Sequence, residues 1–339
     1  MRVAIVGCGA MGGILGAYLT KNGCPVEMLN SPGKTLDSLQ KNGVTVVGCA
    51  DFNVRVNAYC IDDMHGVYDL VLLTTKQTTN SEVLPKLLPH LGKDSVVCAM
   101  QNGVPEPFVA EIVGKERTVG CTMIWGSTTI SPGVYRLTSE LEKRKYLFEV
   151  GEMDGQITDR IKKVAEVLGY MGKALISDDL MSTRWTKLVN NACMSGMSAA
   201  CGCTYGEVFD NPRAKACLSY LAYEVLQCCE ATGHHMHELW AGKLNLGTEE
   251  KFQRSQDAFT GYLGQPSTRP SKASMLQDLE AGKSKTEVDM INGYVCKVGD
   301  EYGIDTPYND ALVDIVHRLE RKELPLSIEN VKYFPDIKY

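Results

Sequence analysis

Basic excess is absent from this sequence: 35 Lys and Arg stand against 41 Asp and Glu in 339 residues, a formal net charge of −6, and no basic block interrupts the chain. A surface that tracks nucleic-acid phosphates needs such an excess on some face, so nucleic acid is excluded as a partner. No apolar run approaches the roughly 18–20 residues that span a bilayer, and no membrane association is expected. The 13 cysteines are too sparse for a disulfide scaffold, which runs at roughly 8–10% cysteine. Cys201-Gly202-Cys203 and Cys228-Cys229 lack the paired C-x-x-C of a zinc site, so the odd, irregular set reads as reduced thiols in a cytoplasmic protein. His234, His235 and His237 lie together after Gly233, but adjacent histidines face different sides and no carboxylate stands at ligand spacing. No metal is expected. Internal repeats and low-complexity segments are also missing.

What is present is an ordinary globular composition, 44% hydrophobic and 22% charged, in a chain long enough for two domains. Its opening residues superficially look like a secretory leader. Gly7, Gly9, Gly12, Gly13 and Gly16, and the lack of a basic stretch before them, argue instead for a mature, unprocessed start. Arg2–Val6 is a β-rich run, Gly7-Cys8-Gly9-Ala10-Met11-Gly12 follows as G-x-G-x-x-G, Met11–Leu19 suits a helix, and Pro25–Leu29 restarts a strand. Strand, glycine turn, helix and strand in that order are the context in which the motif binds a dinucleotide. Glycine lets the pyrophosphate approach the backbone, and the helix start offers it free N–H groups.

Further strands are expected at Val44–Val47, Val54–Ala58, Asp69–Thr74, Ser95–Ala99, Val119–Thr122, Tyr135–Leu137, Lys145–Val150 and Lys173–Ile176. Helices are expected over Asn80–His90 and Ile157–Met171. Beyond Asp178 the periodicity becomes helical to about Leu324, with one loop-rich interruption around Gly261–Pro270. The fold class is therefore α/β: a Rossmann-type dinucleotide-binding domain over residues 1–178, then an all-helical domain over 179–339. The second strand ends in Asn30 and Ser31, with Lys34 nearby and no carboxylate to hold ribose hydroxyls. That favours NADP (NADPH) over NAD, which remains the alternative.

Several separated segments resemble one family, the ketopantoate reductases. They are the glycine loop, Lys76 in Leu73-Thr74-Thr75-Lys76, Asn102 in Gln101-Asn102-Gly103, and Trp185-Thr186-Lys187-Leu188-Val189-Asn190-Asn191. Toward the C-terminus come Ser274-Met275-Leu276-Gln277-Asp278-Leu279, Thr286-Glu287-Val288-Asp289 and Ile291-Asn292-Gly293. The resemblance implies reduction of ketopantoate to pantoate by NADPH, with Lys187 as general acid. It implies that Asn102 lies between nicotinamide and substrate, that Asn191 and Ser274 bind substrate, that Glu287 lies near substrate and cofactor, and that Lys76 lies near the cofactor. Chemistry agrees, because hydride delivery to a ketone builds charge on oxygen that a positioned proton donor relieves. Lys187 and Asn191, four apart on a helix, share one face.

Two positions depart from the family pattern: Ser195, a candidate substrate ligand eight residues after Lys187, and Tyr205 both stand where the resemblance leads one to expect asparagine. A different 2-oxo acid, as in mandelate-type dehydrogenases, is therefore an alternative substrate, and a non-catalytic nucleotide sensor is a third reading. Ser274 also suits a helix N-cap and Glu287 a first-turn carboxylate. A helical second domain suggests a homodimer.

Overall fold

A computed structural model describes residues 1–237 and 268–337. The chain divides into two compact units, Met1–Leu180 and Met181–Tyr339. In the first unit the strands are β1 (Val3–Val6), β2 (Val26–Asn30), β3 (Val44–Gly48), β4 (Phe52–Val54), β5 (Asn57–Cys60), β6 (Tyr68–Leu73), β7 (Leu91–Ala99), β8 (Thr118–Met123), β9 (Ser127–Ser131), β10 (Val134–Leu137), β11 (Phe148–Gly151) and β12 (Ala174–Ile176). The main sheet has the order β12-β11-β8-β7-β6-β1-β2-β5. It is parallel from β8 through β5, and β11 runs antiparallel to β8. Its central strands are continuous apolar runs because both faces are covered, as parallel sheets require. Strand order reverses between β1 and β6, so the crevice at the carboxyl ends of those strands is where such a sheet takes a ligand.

The expected strand Val54–Ala58 is in fact two, β4 and β5, which lie in different sheets. A second sheet, ordered β4-β3-β10-β9, packs on the Ala10–Lys21 helix that follows the glycine loop. Gly13 on that helix is where the two meet. A Cβ there would lie 2.1 Å from the ring of Tyr135, which is 1% exposed, so only glycine lets the ring settle on the helix.

The described part of the second unit is helical, and the Gly261–Pro270 interruption falls largely outside the described residues. Among the described residues no helix is long and apolar enough to cross a membrane. Near the C-terminus Phe334 is buried, and the Arg213 guanidinium donates to the carbonyls of Val331 and Phe334, tying the tail back onto the Pro212–Ala231 helix. Tyr339 lies outside the described residues. The 13 cysteines form no disulfide, and most of them are buried.

Glu224, 4% exposed, accepts from the backbone N–H groups of Tyr308 (2.9 Å) and Asn309 (2.9 Å), capping the Pro307–Glu320 helix from a neighbouring helix. Burial nevertheless outweighs these bonds and pushes its carboxyl up to about 7, with Asp310 adding to the rise. A carboxyl whose folded pKa exceeds its unfolded value holds a proton better in the fold. Stability from this group is thus full below about pH 4.5 and lost as pH rises toward 7, by on the order of 3 kcal/mol. Urea midpoints between pH 4.5 and 7.5 should fall accordingly, and Glu224→Gln should flatten that fall.

Candidate functional site

In the first unit the glycine loop connects β1 to the Ala10–Lys21 helix, and its glycines have separate causes. Gly7 has φ +99°, and a Cβ on it would lie 2.6 Å from Thr75 N; one on Gly12 would lie 2.1 Å from Gly7 O. The fold itself therefore requires both. A Cβ on Gly9 would meet nothing within 4 Å among the described residues, so this glycine borders open space. It caps the helix with no side-chain bond, and the first turn holds no acidic residue. The N–H groups of Ala10, Met11 and Gly12 thus have no intrahelical acceptor, and the helix dipole points its positive end at the same space. These residues fit a dinucleotide pyrophosphate.

Cys8 is fully buried, and its thiol is pushed up to about 12 by burial, so the sulfur stays protonated. Its backbone is spoken for on both sides: the N–H donates to Asn30 Oδ1 at 3.0 Å, and the carbonyl accepts from Tyr135 Oη. Cys8 and Asn30 therefore shape the loop, and Asn30 turns its Nδ2 to Ser31 O. Ser31 and Lys34 are exposed where β2 leads into the Lys34–Asn42 helix.

Lys76 and Asn102 sit at the carboxyl ends of β6 and β7 and are fixed by one polar network. Thr74 Oγ1 donates to Gly7 O (2.6 Å), Gln101 Nε2 to Thr75 O (2.8 Å) and to Asn80 Oδ1 (2.7 Å), and Gln77 Nε2 to Asn102 O (2.6 Å). Lys76 is half-buried; Asn102 is exposed, just before Gly103 at φ +78°. The switch-point edge thus gathers the glycine loop, Lys76 and Asn102 on a single framework.

In the second unit the Leu180–Asn190 helix runs into a π-turn, Asn191–Ser195, and then into the Gly196–Cys201 helix. Of residues 181–201, only Lys187, Asn190, Asn191 and Ser195 are not buried. The π-turn explains the alignment. At 100° per residue, Ser195 in an unbroken α-helix would stand about 80° around from Lys187; an i→i+5 turn advances roughly 80° per residue, which brings Ser195 to within about 10° of it. Asn191 Nδ2 is buried and has no hydrogen-bond partner among the described residues.

The helices that carry Ser274 and follow Glu287 both pack against this π-turn. Ser274 is exposed and is the first residue of the Ser274–Glu280 helix; the N-cap is Ala273, so Ser274 does not serve as one. Glu287 is not a first-turn carboxylate: it is the N-cap residue of the Val288–Tyr302 helix and is 8% exposed. Tyr205 opens a short helix whose Glu207 forms a capping box with Thr204, so the Gly206-Glu207 pair is structural. His235 and His237 do not face apart. Residues 234–237 are non-helical, the two N–H groups donate to Ser182 Oγ (3.1 Å) and Thr186 Oγ1 (2.9 Å), and the rings stand 5.0 Å apart. Tyr135 and Asn190 were missed by sequence reasoning. Nothing near Tyr135 in the chain hints at its partner, whereas Asn190 lies inside the Lys187 motif.

Residues 3–151 match the family described as Ketopantoate reductase PanE/ApbA, and residues 179–320 match Ketopantoate reductase PanE/ApbA C terminal. The 2-dehydropantoate 2-reductase of Archaeoglobus fulgidus is 31% identical over 322 residues, spanning 94% of this chain and 98% of that protein. The chain belongs to the ketopantoate reductase family. As a family member it is an oxidoreductase acting on a CH–OH group. Its fold is similar to that of D-mandelate dehydrogenase solved with NADH and anilino(oxo)acetate, with TM-score 0.80, 22% identity, and coverage of 95% of this chain and 99% of that one. The PanE/ApbA family ketopantoate reductase from Ralstonia eutropha JMP134 gives TM-score 0.79 at 22% identity, over 95% and 99% of the two chains.

For this family member the support role of Asn30 has a measurable consequence. Asn30→Ala leaves Cys8 N–H without its acceptor and should weaken NADH and NADPH binding alike, by about fivefold for one lost bond of ~1 kcal/mol. Fluorescence titration with both nucleotides checks it; an unequal loss would mean that Asn30 reads the ribose directly.

Proposed function

We propose that this protein reduces a 2-oxo acid, 2-dehydropantoate (ketopantoate), to the 2-hydroxy acid pantoate, using NADPH. One observation carries the reading: on a helix buried from 181 to 201 apart from these residues and Asn190, a lysine, an amide with an unpartnered buried Nδ2 and a serine stand in one line. An unpaired buried donor costs roughly 1–3 kcal/mol, a cost that a substrate oxygen accepting from Asn191 removes.

When bound, the dinucleotide supplies the hydride. This chain's residues do the rest. The N–H groups of Ala10, Met11 and Gly12 hold the pyrophosphate, and Lys34 and Ser31 hold the 2′-phosphate. Lys76 and Asn102 orient the nicotinamide side. As the hydride reaches the carbonyl carbon, the C=O π pair moves to oxygen, which takes a proton from Lys187 Nζ; solvent then reprotonates the amine. Asn191, Ser195 and Ser274 donate hydrogen bonds to substrate oxygens, and the Glu287 carboxylate orients the substrate hydroxyl. The balance is 2-oxo acid, NADPH and a proton giving 2-hydroxy acid and NADP⁺.

Ser195 and Tyr205 favour a second reading, a 2-oxo acid with a bulkier side chain, since serine leaves more room than asparagine and offers fewer donors. Steady-state rates with ketopantoate and a panel of aryl and branched 2-oxo acids, each with NADH and NADPH, decide between them. Lys187→Ala should lower kcat by roughly 10²–10⁴-fold with nucleotide affinity unchanged; an unaltered kcat would refute the proton-donor role. Lys34→Ala should raise the KM for NADPH by about tenfold and leave that for NADH unmoved, as expected for one charge-assisted contact to the extra phosphate.

A further inference from the structure

The segment Ile291-Asn292-Gly293 has no part in the reaction as described, yet its asparagine is 0% exposed. Asn292 Nδ2 donates to Ala192 O at 3.1 Å, in the π-turn, and to Asn309 Oδ1 at 2.8 Å. Asn309 Nδ2 in turn donates to Glu224 Oε2 at 2.7 Å. The direction of this chain follows from its acidic end. Carboxylate oxygens that accept from three N–H groups leave Asn309 to donate with nitrogen, and its oxygen is then free only to accept from Asn292.

A π-turn interrupts the i→i−4 ladder, and a buried backbone carbonyl within it needs a partner. Asn292 supplies one to Ala192. Gly196, the residue immediately after the turn, gives an independent sign that this approach is built in. It has helical dihedrals, where glycine is a poor choice, but a Cβ there would lie 3.1 Å from Asn292 Oδ1 and 2.8 Å from Leu312 Cδ1. Glycine leaves room at this point for both Leu312 and Asn292 to lie against the end of the turn. Were the segment to relax to a regular α-helix, Ser195 would rotate away from Lys187 by roughly 80°.

We propose that Asn292, anchored through Asn309 to Glu224, is a positioning residue that holds the Asn191–Ser195 π-turn and so keeps Asn191 and Ser195 in line with Lys187. This rests on the reading of that line as the substrate-facing surface. Two readouts on the full-length enzyme test it. The first, hydrogen exchange, is independent of activity: in Asn292→Leu, which nearly keeps the shape but has no donor, amides of 191–196 should exchange at least about tenfold faster while those of β1 and β6 keep their rates. The second is kinetic: on the folded fraction, KM for the 2-oxo acid should rise about tenfold and KM for NADPH stay put. That rise should shrink to under about twofold in an Asn191→Ala, Ser195→Ala background, because Asn292 acts through those two side chains. Asn292→Ser, which keeps an O–H donor, should recover part of both effects and serves if Asn292→Leu does not fold.

Unchanged exchange at the turn, or an equal KM rise with and without the Asn191 and Ser195 side chains, overturns the inference. If Asn191→Ala raises KM but the Asn292 variants do not, the inference alone fails. If exchange accelerates but Asn191→Ala leaves KM unmoved for every 2-oxo acid, the substrate-facing reading fails, and the positioning role goes with it.

Discussion

A helix buried on nearly all sides can show polar groups along only one line, and where that line runs depends on how many residues complete each turn. In the second unit the line is Lys187, Asn191 and Ser195, and the π-turn at Asn191–Ser195 sets it. The neighbours follow from this constraint. The Pro212–Ala231, Ser274–Glu280 and Val288–Tyr302 helices all pack on the turn. Beside Ala192 a buried amide, Asn292, supplies the donor that an interrupted backbone needs and that leucine or valine lacks. Glu224 is the far end of the same arrangement, a carboxyl kept inside by the helix start it caps although burial works against its charge.

The first unit solves a related problem with backbone. A dinucleotide loop must leave some N–H groups unpaired and still hold one shape. Here the inner residue Cys8 is fastened on both sides, by Asn30 and Tyr135, and the outer residues from Gly9 onward are left open. Satisfying the inner groups makes a rigid loop compatible with an unsatisfied rim. The same logic places Lys76 and Asn102, whose strand ends are knitted together by Thr74, Gln77, Asn80 and Gln101.

Much of this was legible in the sequence, for physical reasons that can be named. β1 and the last four residues of β6 are short apolar runs because they are buried on both faces, and the glycine turn between β1 and its helix has a fixed spacing. The second sheet was not legible: β9 is Ser127–Ser131, mostly exposed and without apolar alternation, and β3 pairs in parallel with β10 across some ninety residues of chain. Site residues were legible as types and less so as jobs. Asn30 stands out as the missing carboxylate, but its bond to Cys8 depends on a partner 22 residues away. Ser195 lies eight residues after Lys187, where a 3.6-residue period sets it off the line; the π-turn that restores it has no signature in composition.

Tyr135 carries a consequence for the order of events during folding. The glycine loop begins seven residues into the chain, but the hydroxyl that holds the Cys8 carbonyl arrives 127 residues later, on a strand that must first pair with β3. Contacts that close so long a stretch of chain form late. Strands β1, β2, β5, β6, β7 and β8 and the first helix, all complete by Met123, can therefore assemble while the loop is still free to move. A nascent chain gains the finished nucleotide cradle only after synthesis has passed Leu137, so ligand cannot template the earliest steps of its own domain.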